Sequence, residues 1–201
     1  MEIMTGKTTR SITALELAQR LEGCAEVLLD LGTGDGQYVL RAAREAARKG
    51  TRLFAIGVDA CRENLREASR QAPPNALFAI ASAQCLPAEL AGLAARVTIN
   101  FPWGSLRDGL LEADPALLAG LRAVMRPGAH LEVRLNASAL AEAGWDLLPG
   151  GAQVERSLGL GGFAPRPPRL LDAAALRAVP TTWAKRLAYG RKPEAVYIQA
   201  R

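Results

Sequence analysis

A glycine-rich segment at residues 30–36, with the sequence D-L-G-T-G-D-G, is the first part of the chain whose residue types and spacing indicate chemistry. An apolar run precedes it and an alanine- and arginine-rich segment follows, so it is predicted to join a buried strand to a helix. Glycines in such a turn permit positive φ angles and let a ligand approach the backbone. Asp59 closes the next predicted strand, where an acid binds ribose hydroxyls in dinucleotide-binding folds. Together these features predict a nucleotide-type cofactor site.

The spacing of the glycines separates two classes of cofactor. The nicotinamide fingerprint is G-x-G-x-x-G, and Gly36 comes one residue too early for it. Asp30 stands two residues before Gly32, and a carboxylate there suits a cationic amine better than a pyrophosphate, which it would repel. The segment resembles motif I of class I S-adenosylmethionine (SAM)-dependent methyltransferases, and the resemblance extends over most of the chain.

This resemblance implies a cofactor site made from the ends of the first three predicted strands. It implies that Asp30 lies near the amino-acid end of SAM, that Gly32 and Gly34 face the cofactor, and that Asp59 holds the ribose. The segment from Ser82 through Ala83 to Gln84 is expected to border the adenine.

A second segment, N-F-P-W-G-S at residues 100–105, follows the fourth predicted strand. Proline fixes the backbone of this turn, and glycine relieves the strain in it. Together they are expected to expose Trp103 where the transferred methyl group should lie. In methyltransferases that act on base nitrogens, an Asn-Pro-aromatic element offers backbone carbonyls to the base and an aromatic face for stacking. We therefore expect Asn100 and Pro102 to position a base and Trp103 to stack on it; a tryptophan buried in the core is the alternative.

A third segment, T-T-W-A-K-R-L-A-Y-G-R-K at residues 181–192, is predicted to form a helix with Trp183 near its start. Aromatic residues interleaved with basic ones suit single-stranded or flipped nucleotides, because the rings stack on bases while the cations hold phosphates. The alternative is an amphipathic surface helix with its tryptophan buried. The basic residues expected to bind RNA are Lys185, Arg186, Arg191 and Lys192.

The three segments in this order resemble the aminoglycoside-resistance 16S rRNA methyltransferases that modify N1 of an adenine in the decoding site. The resemblance implies that Trp103 and Trp183 enclose the flipped adenine and that Thr181 contacts SAM. It also implies that the partner is 16S rRNA within the small ribosomal subunit. A small N-terminal hairpin over the core, turning at Gly6 and Lys7, is a further expectation.

Apolar runs that alternate with helical segments must position these residues. Strands are predicted at residues 27–31, 53–58, 77–80, 96–101, 130–135 and 195–200, and helices at 37–49, 61–71 and 115–125. This alternation predicts an α/β, Rossmann-like class I methyltransferase fold with a doubly wound, mostly parallel sheet.

The whole chain, 1–201, is expected to be one methyltransferase domain with three distinctive parts. An N-terminal extension covers residues 1–22, and a basic substrate-binding helix covers 180–192. Between them, glycines and prolines predict a flexible linker over 136–168, without regular structure except an edge strand near 153–158.

Composition excludes several classes of function. His130 is the only histidine, and the cysteines at 24, 61 and 85 form no CxxC pair, so no metal site is expected. No apolar run reaches membrane-spanning length and no signal core is present, so we expect a cytoplasmic protein. Nothing in the sequence requires more than one copy, so a monomer is expected. Residues 166–201 carry a net charge of +6 and the rest of the chain −1, which places a candidate polyanion-binding surface at one end.

Three other functions remain open on these residues. Asn100-Phe101-Pro102 also resembles the start of the N-F-P-D-P-W element of tRNA guanine-N7 methyltransferases, although Trp103 and Gly104 replace its acid and second proline. A non-catalytic SAM-binding RNA module would keep the same sites without chemistry. A nicotinamide oxidoreductase is disfavoured by the glycine spacing.

Overall fold

Nine strands form one sheet in the computed structural model, which describes residues 1–189 and 194–201. They are β1 (Glu2–Thr5), β2 (Thr8–Ser11), β3 (Glu26–Leu31), β4 (Leu53–Asp59), β5 (Ala76–Ile80), β6 (Ala94–Asn100), β7 (Met125–Asn136), β8 (Arg169–Leu171) and β9 (Ala195–Ala200). Their spatial order is β2-β1-β5-β4-β3-β6-β7-β9-β8. The five central strands, β5 to β7 in this order, run parallel, and the pairs at both edges are antiparallel.

Helices cover both faces of the sheet. They are α1 (Ala14–Leu21), α2 (Gln37–Lys49), α3 (Arg62–Arg70), α4 (Gly104–Glu112), α5 (Pro115–Val124), α6 (Ala137–Glu142), α7 (Leu147–Leu160), α8 (Ala173–Ala178) and α9 (Thr182–Ala188). Apolar residues of α2 and α3 pack in one core, and those of α1 and α4 to α7 pack in a larger one. The doubly wound α/β prediction is confirmed.

Helix ends follow local signals in the sequence. Asp114 caps α5, because its carboxylate accepts hydrogen bonds from the N–H groups of Ala116 (2.8 Å) and Leu117 (3.4 Å), and Pro115 occupies the first helical position. Gly36 begins α2 and Gly50 ends it, both in the left-handed conformation.

The prediction of a flexible linker over residues 136–168 is wrong in its secondary structure. Helix α6 and the 14-residue α7 occupy most of this segment, and the predicted edge strand near 153–158 lies inside α7. Gly150 and Gly151 are packing positions here, because a Cβ atom on them would lie 2.8 Å from Leu140 Cδ2 and 2.7 Å from Val196 Cγ1, respectively. The glycines allow α7 to approach its neighbours closely, an effect that local sequence does not reveal.

Two smaller expectations also need correction. The N-terminal hairpin exists, with its turn at Gly6 and Lys7, but it extends the sheet at the edge of β5 instead of lying over the core. Strand β7 begins at Met125, five residues before the predicted start at His130, so Pro127 and Gly128 lie within it.

The described part of the third segment is helical, as predicted, over Thr182–Ala188. Arg191 and Lys192 lie outside the described residues. No helix in ranges 1–189 and 194–201 is both long enough and apolar enough to cross a bilayer.

Candidate active site

A cavity of about 540 Å³ opens at the carboxyl ends of β3 and β6, where the order of the parallel strands reverses. Open α/β sheets bind ligands at this position. Its wall includes the glycine turn, the ends of β4, β5 and β6, and the start of α9. All the residues predicted to bind cofactor or to hold a base line it: Asp30, Gly32, Gly34, Asp59, Ser82, Ala83, Asn100, Pro102, Trp103, Thr181 and Trp183.

The glycine turn is held against β4 by Asp59. Gly32, Gly34 and Gly36 have φ angles of +66°, +56° and +69°, which side chains disfavour. The N–H of Gly34 donates to Asp59 Oδ2 (2.8 Å), and the N–H of Cys61 donates to Oδ1 (2.9 Å). Asp59 thus shapes the turn as well as facing the cavity, and its carboxylate retains lone pairs for further donors.

Asp30 is buried at the cavity floor, 1% exposed. Its Oδ1 accepts hydrogen bonds from Thr98 Oγ1 (2.6 Å) and from Asn100 Nδ2 (2.8 Å). Burial raises the pKa of Asp30 to about 6, against the opposing effect of these hydrogen bonds and of the Arg134 guanidinium. A cation placed beside Asp30 would therefore stabilise the ionised form of its carboxyl.

The loop after β5 is tied to the start of α4. Ser82 Oγ donates to Gln84 Oε1 (2.6 Å), and Gln84 Nε2 donates to the carbonyl of Ser105 (3.1 Å). These bonds fix the part of the wall that the sequence assigned to the adenine of a cofactor.

The turn after β6 has an unusual backbone. Phe101 has φ of +55°, in the left-handed region that non-glycine residues rarely adopt, and its ring is buried. The N–H of Phe101 donates to the carbonyl of Arg134 (2.8 Å). The turn therefore directs the backbone of residues 100–102 and the Trp103 ring toward the cavity.

Trp103 and Trp183 face each other across the cavity mouth. Their ring centroids are 5.8 Å apart with an interplanar angle of 35°, and the residues are 36% and 42% exposed. The alternative in which either tryptophan is buried in the core is therefore wrong. The sequence separates the two by 80 positions, and the fold brings them together as predicted.

Helix α9 carries Trp183 and is hydrogen-bonded to the glycine turn through one of the two threonines at its start. Thr181 Oγ1 caps the helix by accepting from the N–H of Ala184 (2.8 Å). Thr182 Oγ1 donates to Asp35 Oδ2 in the glycine turn (2.6 Å), a contact that sequence reasoning missed because it joins residues 147 positions apart.

A small separate core supports α9 from behind. Phe101 packs there with Ala184 and Ala188 of α9, Leu176 of α8 and Tyr197 of β9. Thus the buried ring of the strained turn also supports the helix that carries the second tryptophan.

Of the four predicted basic residues, the two that the structure describes lie in different places. Arg186 lines the cavity, with its guanidinium carbon 5.6 Å from the centre of the Trp183 ring. Lys185 is exposed on α9 outside the cavity wall.

Comparison with known proteins agrees with this geometry. The crystal structure of the 16S rRNA methyltransferase KamB superposes with a TM-score of 0.86 at 28% identity, covering 100% of this chain and 98% of that one. A mutant 16S rRNA (adenine(1408)-N(1))-methyltransferase from Catenulisporales acidiphilia, solved with its cosubstrate SAM, gives 0.84 at 25% identity over 100% of this chain and 96% of that one. The fold and site therefore define a Rossmann-like class I methyltransferase.

The sequence comparisons identify the family. The model of the family described as NpmA, 16S rRNA (adenine(1408)-N(1))-methyltransferase, matches residues 2–201. A protein of that description from Escherichia coli is 30% identical over 96% of this chain and 94% of its own length. The chain belongs to the 16S rRNA (adenine(1408)-N(1))-methyltransferase family. A tRNA (guanine-N(7)-)-methyltransferase from Streptomyces coelicolor is 32% identical, but the match covers 76% of this chain and only 58% of that protein.

Proposed function

We propose that this protein transfers the methyl group of SAM to N1 of the decoding-site adenine of 16S rRNA in the small ribosomal subunit, and so confers aminoglycoside resistance. The observation that carries the proposal is the pair of exposed, facing tryptophans at the mouth of the cavity. Aromatic rings on both sides are the means by which proteins hold a base outside its helix. We further propose that it acts as a monomer in the cytoplasm, where small subunits are found.

The residues of the cavity fit SAM. Its volume of about 540 Å³ lies in the range of small-molecule sites. Asp30 offers a buried carboxylate to the cationic amino group, Asp59 offers lone pairs to ribose hydroxyls, and a Cβ on Gly34 would meet no atom within 4 Å. Ser82 and Ala83 are proposed to border the adenine, with Gly32 and Thr181 facing the cofactor.

SAM supplies an electrophilic methyl group on a sulfonium. With both bound, the lone pair of adenine N1 would form the new N–C bond as the C–S bond of SAM breaks, and the positive charge would pass from sulfur to the adenine ring. No general base is required, because N1 carries a free lone pair. The task of Trp103, Trp183 and the backbone at Asn100 and Pro102 is to align N1 with the methyl group and exclude water.

The RNA backbone would be held by cations around the cavity mouth. Arg186 and Lys185 are the described members of this set, and Arg191 and Lys192, which follow in the chain, are proposed with them. Phosphate contacts of this kind contribute affinity without reading sequence, so the fold of the small subunit would supply most of the selectivity.

Methylation of tRNA guanine N7 is the second candidate, supported by the partial match to the Streptomyces coelicolor protein and by the shared Asn-Phe-Pro element. Trp103 weighs against it, because this residue occupies the position of the acid in that element.

The test is transfer of labelled methyl from SAM to small subunits, naked 16S RNA and bulk tRNA in parallel, followed by primer extension. We expect label in small subunits alone and a reverse-transcription stop at the decoding-site adenine, because N1 methylation blocks base pairing. Label in tRNA would support the second candidate. Absence of label everywhere, with SAM bound, would indicate a non-catalytic module.

A further inference from the structure

A row of four side chains crosses the sheet behind the site, one from each of β6, β7, β9 and β8. Asn100 pairs with Arg134, Arg134 with Tyr197, and Tyr197 with Arg169 in the strand register. Cross-strand partners point to the same face of a sheet, so these side chains can contact one another in sequence. The row begins at a residue of the cavity wall and ends at the sheet edge.

Arg134 is the centre of this row and makes three kinds of contact. Its Nη1 donates to Asn100 Oδ1 (2.9 Å) and its Nη2 to Glu132 Oε2 (2.7 Å). Its guanidinium carbon lies 5.0 Å from the centre of the Tyr197 ring. Its side chain is only 12% exposed and that of Glu132 only 15%, so the ion pair is shielded from solvent.

These contacts determine the orientation of the Asn100 amide. Its Nδ2 donates to Asp30 while its Oδ1 accepts from Arg134. Rotation of the amide by 180° would place its oxygen against a carboxylate and its N–H₂ against a guanidinium. Only one of the two orientations is therefore stable.

The same arginine holds the turn through its backbone. The carbonyl of Arg134 accepts from the N–H of Phe101, the residue with φ of +55°. A left-handed conformation at a non-glycine residue is unfavourable and persists only where its surroundings enforce it. Arg134 thus contacts both the side chain at the start of the turn and its strained backbone.

We propose that Arg134 is a positioning residue for methyl transfer: it locks the Asn100 amide and, through it, the backbone groups at residues 100–102 that orient the base. The inference rests on the proposed function for its kinetic consequence but not for its structural one. The side chain of Arg134 is separated from the cavity by Asn100, so the side chain acts on the base only through that residue.

The variant that tests this is Arg134→Lys. A lysine keeps the positive charge beside Glu132, which protects the fold, but its single ammonium lacks the planar fork that reaches Glu132 and Asn100 together. Arg134→Met would also leave Glu132 unpaired and is the harsher variant. The matched control is Arg169→Lys. The guanidinium carbon of Arg169 lies 4.5 Å from the centre of the same Tyr197 ring, but this residue is at the sheet edge, away from Asn100.

The first readout is steady-state methylation of small subunits. We expect Arg134→Lys to lower kcat by about tenfold with KM for subunits changed less than about twofold, since the substitution disturbs alignment and leaves docking intact. In an Asn100→Ala background the same substitution should have no further effect on kcat. Arg169→Lys should leave kcat unchanged.

The second readout does not depend on activity. The exchange rate of the Asn100 side-chain amide protons, assigned by their loss in Asn100→Ala, should rise in Arg134→Lys and not in Arg169→Lys. Unchanged exchange and kcat in Arg134→Lys would overturn the proposal, as would multiplicative effects of the Arg134 and Asn100 substitutions. If the wild-type protein methylates no subunit, the proposed function fails, and the exchange rates still decide whether Arg134 holds Asn100.

Discussion

Asp30, which we propose binds SAM, is buried in the site at a cost to stability. It is an acid near the end of the buried strand β3, and it is contacted by residues of β6 instead of by water. Thr98 and Asn100 offset part of the cost of burial by donating hydrogen bonds. The part of the burial cost that is not offset raises the pKa of Asp30. The stability of the protein is therefore expected to depend on pH.

Asp30→Asn is expected to stabilise the protein above pH 6 and to weaken SAM binding. The pKa of Asp30 rises from 3.8 to about 6 on folding, so its contribution to stability is fully present below pH 4 and lost as pH rises through 6. The loss is on the order of 2–3 kcal/mol, so the variant should melt about 5 °C higher at pH 7.5. At pH 4 the two proteins should melt together. Calorimetry at both pH values checks this, and a less stable variant at pH 7.5 would contradict it.

Substitution of either of the two facing tryptophans should slow catalysis and leave cofactor binding intact. Trp103→Ala and Trp183→Ala are each expected to slow methylation of small subunits by about 10- to 100-fold, because stacking on one base contributes about 1–3 kcal/mol. Titration with S-adenosylhomocysteine should give affinities close to wild type.

The third tryptophan provides the control for this pair. Trp145 packs against the main core and does not line the cavity, so Trp145→Ala should lower Tm without changing kcat. Full activity in either Trp103→Ala or Trp183→Ala would contradict the base-stacking role.

At the scale of elements, the sequence predicts what is locally coded and misses what depends on packing. The glycine turn, its flanking strand and helix α2 could be recognised because their signals are adjacent in the chain. Helix α7 could not, because glycines disfavour a helix and local sequence does not show that Gly150 and Gly151 pack where Leu140 and Val196 leave no space for a Cβ atom.

Two glycines of α7 should respond oppositely to alanine. Gly151→Ala places a Cβ atom 2.7 Å from Val196 Cγ1 and is expected to lower stability by about 1–2 kcal/mol. Gly159→Ala meets nothing within 4 Å and should raise stability by up to about 1 kcal/mol, since alanine favours helix. Chemical unfolding of both variants measures this, and equal effects would contradict the packing role of Gly151.

The candidate site shows the same division. Trp103, Trp183 and Asp59 could be assigned from motifs, whereas the Thr182–Asp35 contact and the Asn100–Arg134 contact could not. These pairs form only when distant segments meet, and no local pattern indicates which two residues will pair.

At the scale of the whole molecule, charge is distributed unevenly. Residues 166–201 carry a net charge of +6, and the first 165 residues carry −1. Helix α9 presents part of this excess next to the tryptophans, so attraction to phosphate and stacking on a base act at the same edge of the sheet.

Neutralising this charge should flatten the salt dependence of binding. Lys185→Gln with Arg186→Gln is expected to reduce the slope of log Kd against log salt by about 0.7–0.9 for each phosphate that the variant no longer neutralises. The control is Arg48→Gln with Lys49→Gln, at the far end of α2 and paired with Glu45. Binding to small subunits across a salt series gives the slopes, and an unchanged slope in the α9 variant would remove that helix from the interface.

The spacing of the two tryptophan rings has a consequence for competition inside a cell. Successive nucleotides of a duplex strand rise by about 3.4 Å, so a base that stacks on both tryptophans at this spacing needs about 6.8 Å between parallel rings. The ring centroids of Trp103 and Trp183 are 5.8 Å apart and the ring planes are tilted by 35°, so the rings must separate before an adenine can lie between them. We expect the gap to open when a small subunit docks, because contacts between the RNA backbone and the protein can offset the work of opening it. A free nucleotide makes far fewer such contacts. Free adenine nucleotides are therefore expected to enter the gap between the two tryptophans poorly, although each carries the same ring as the target.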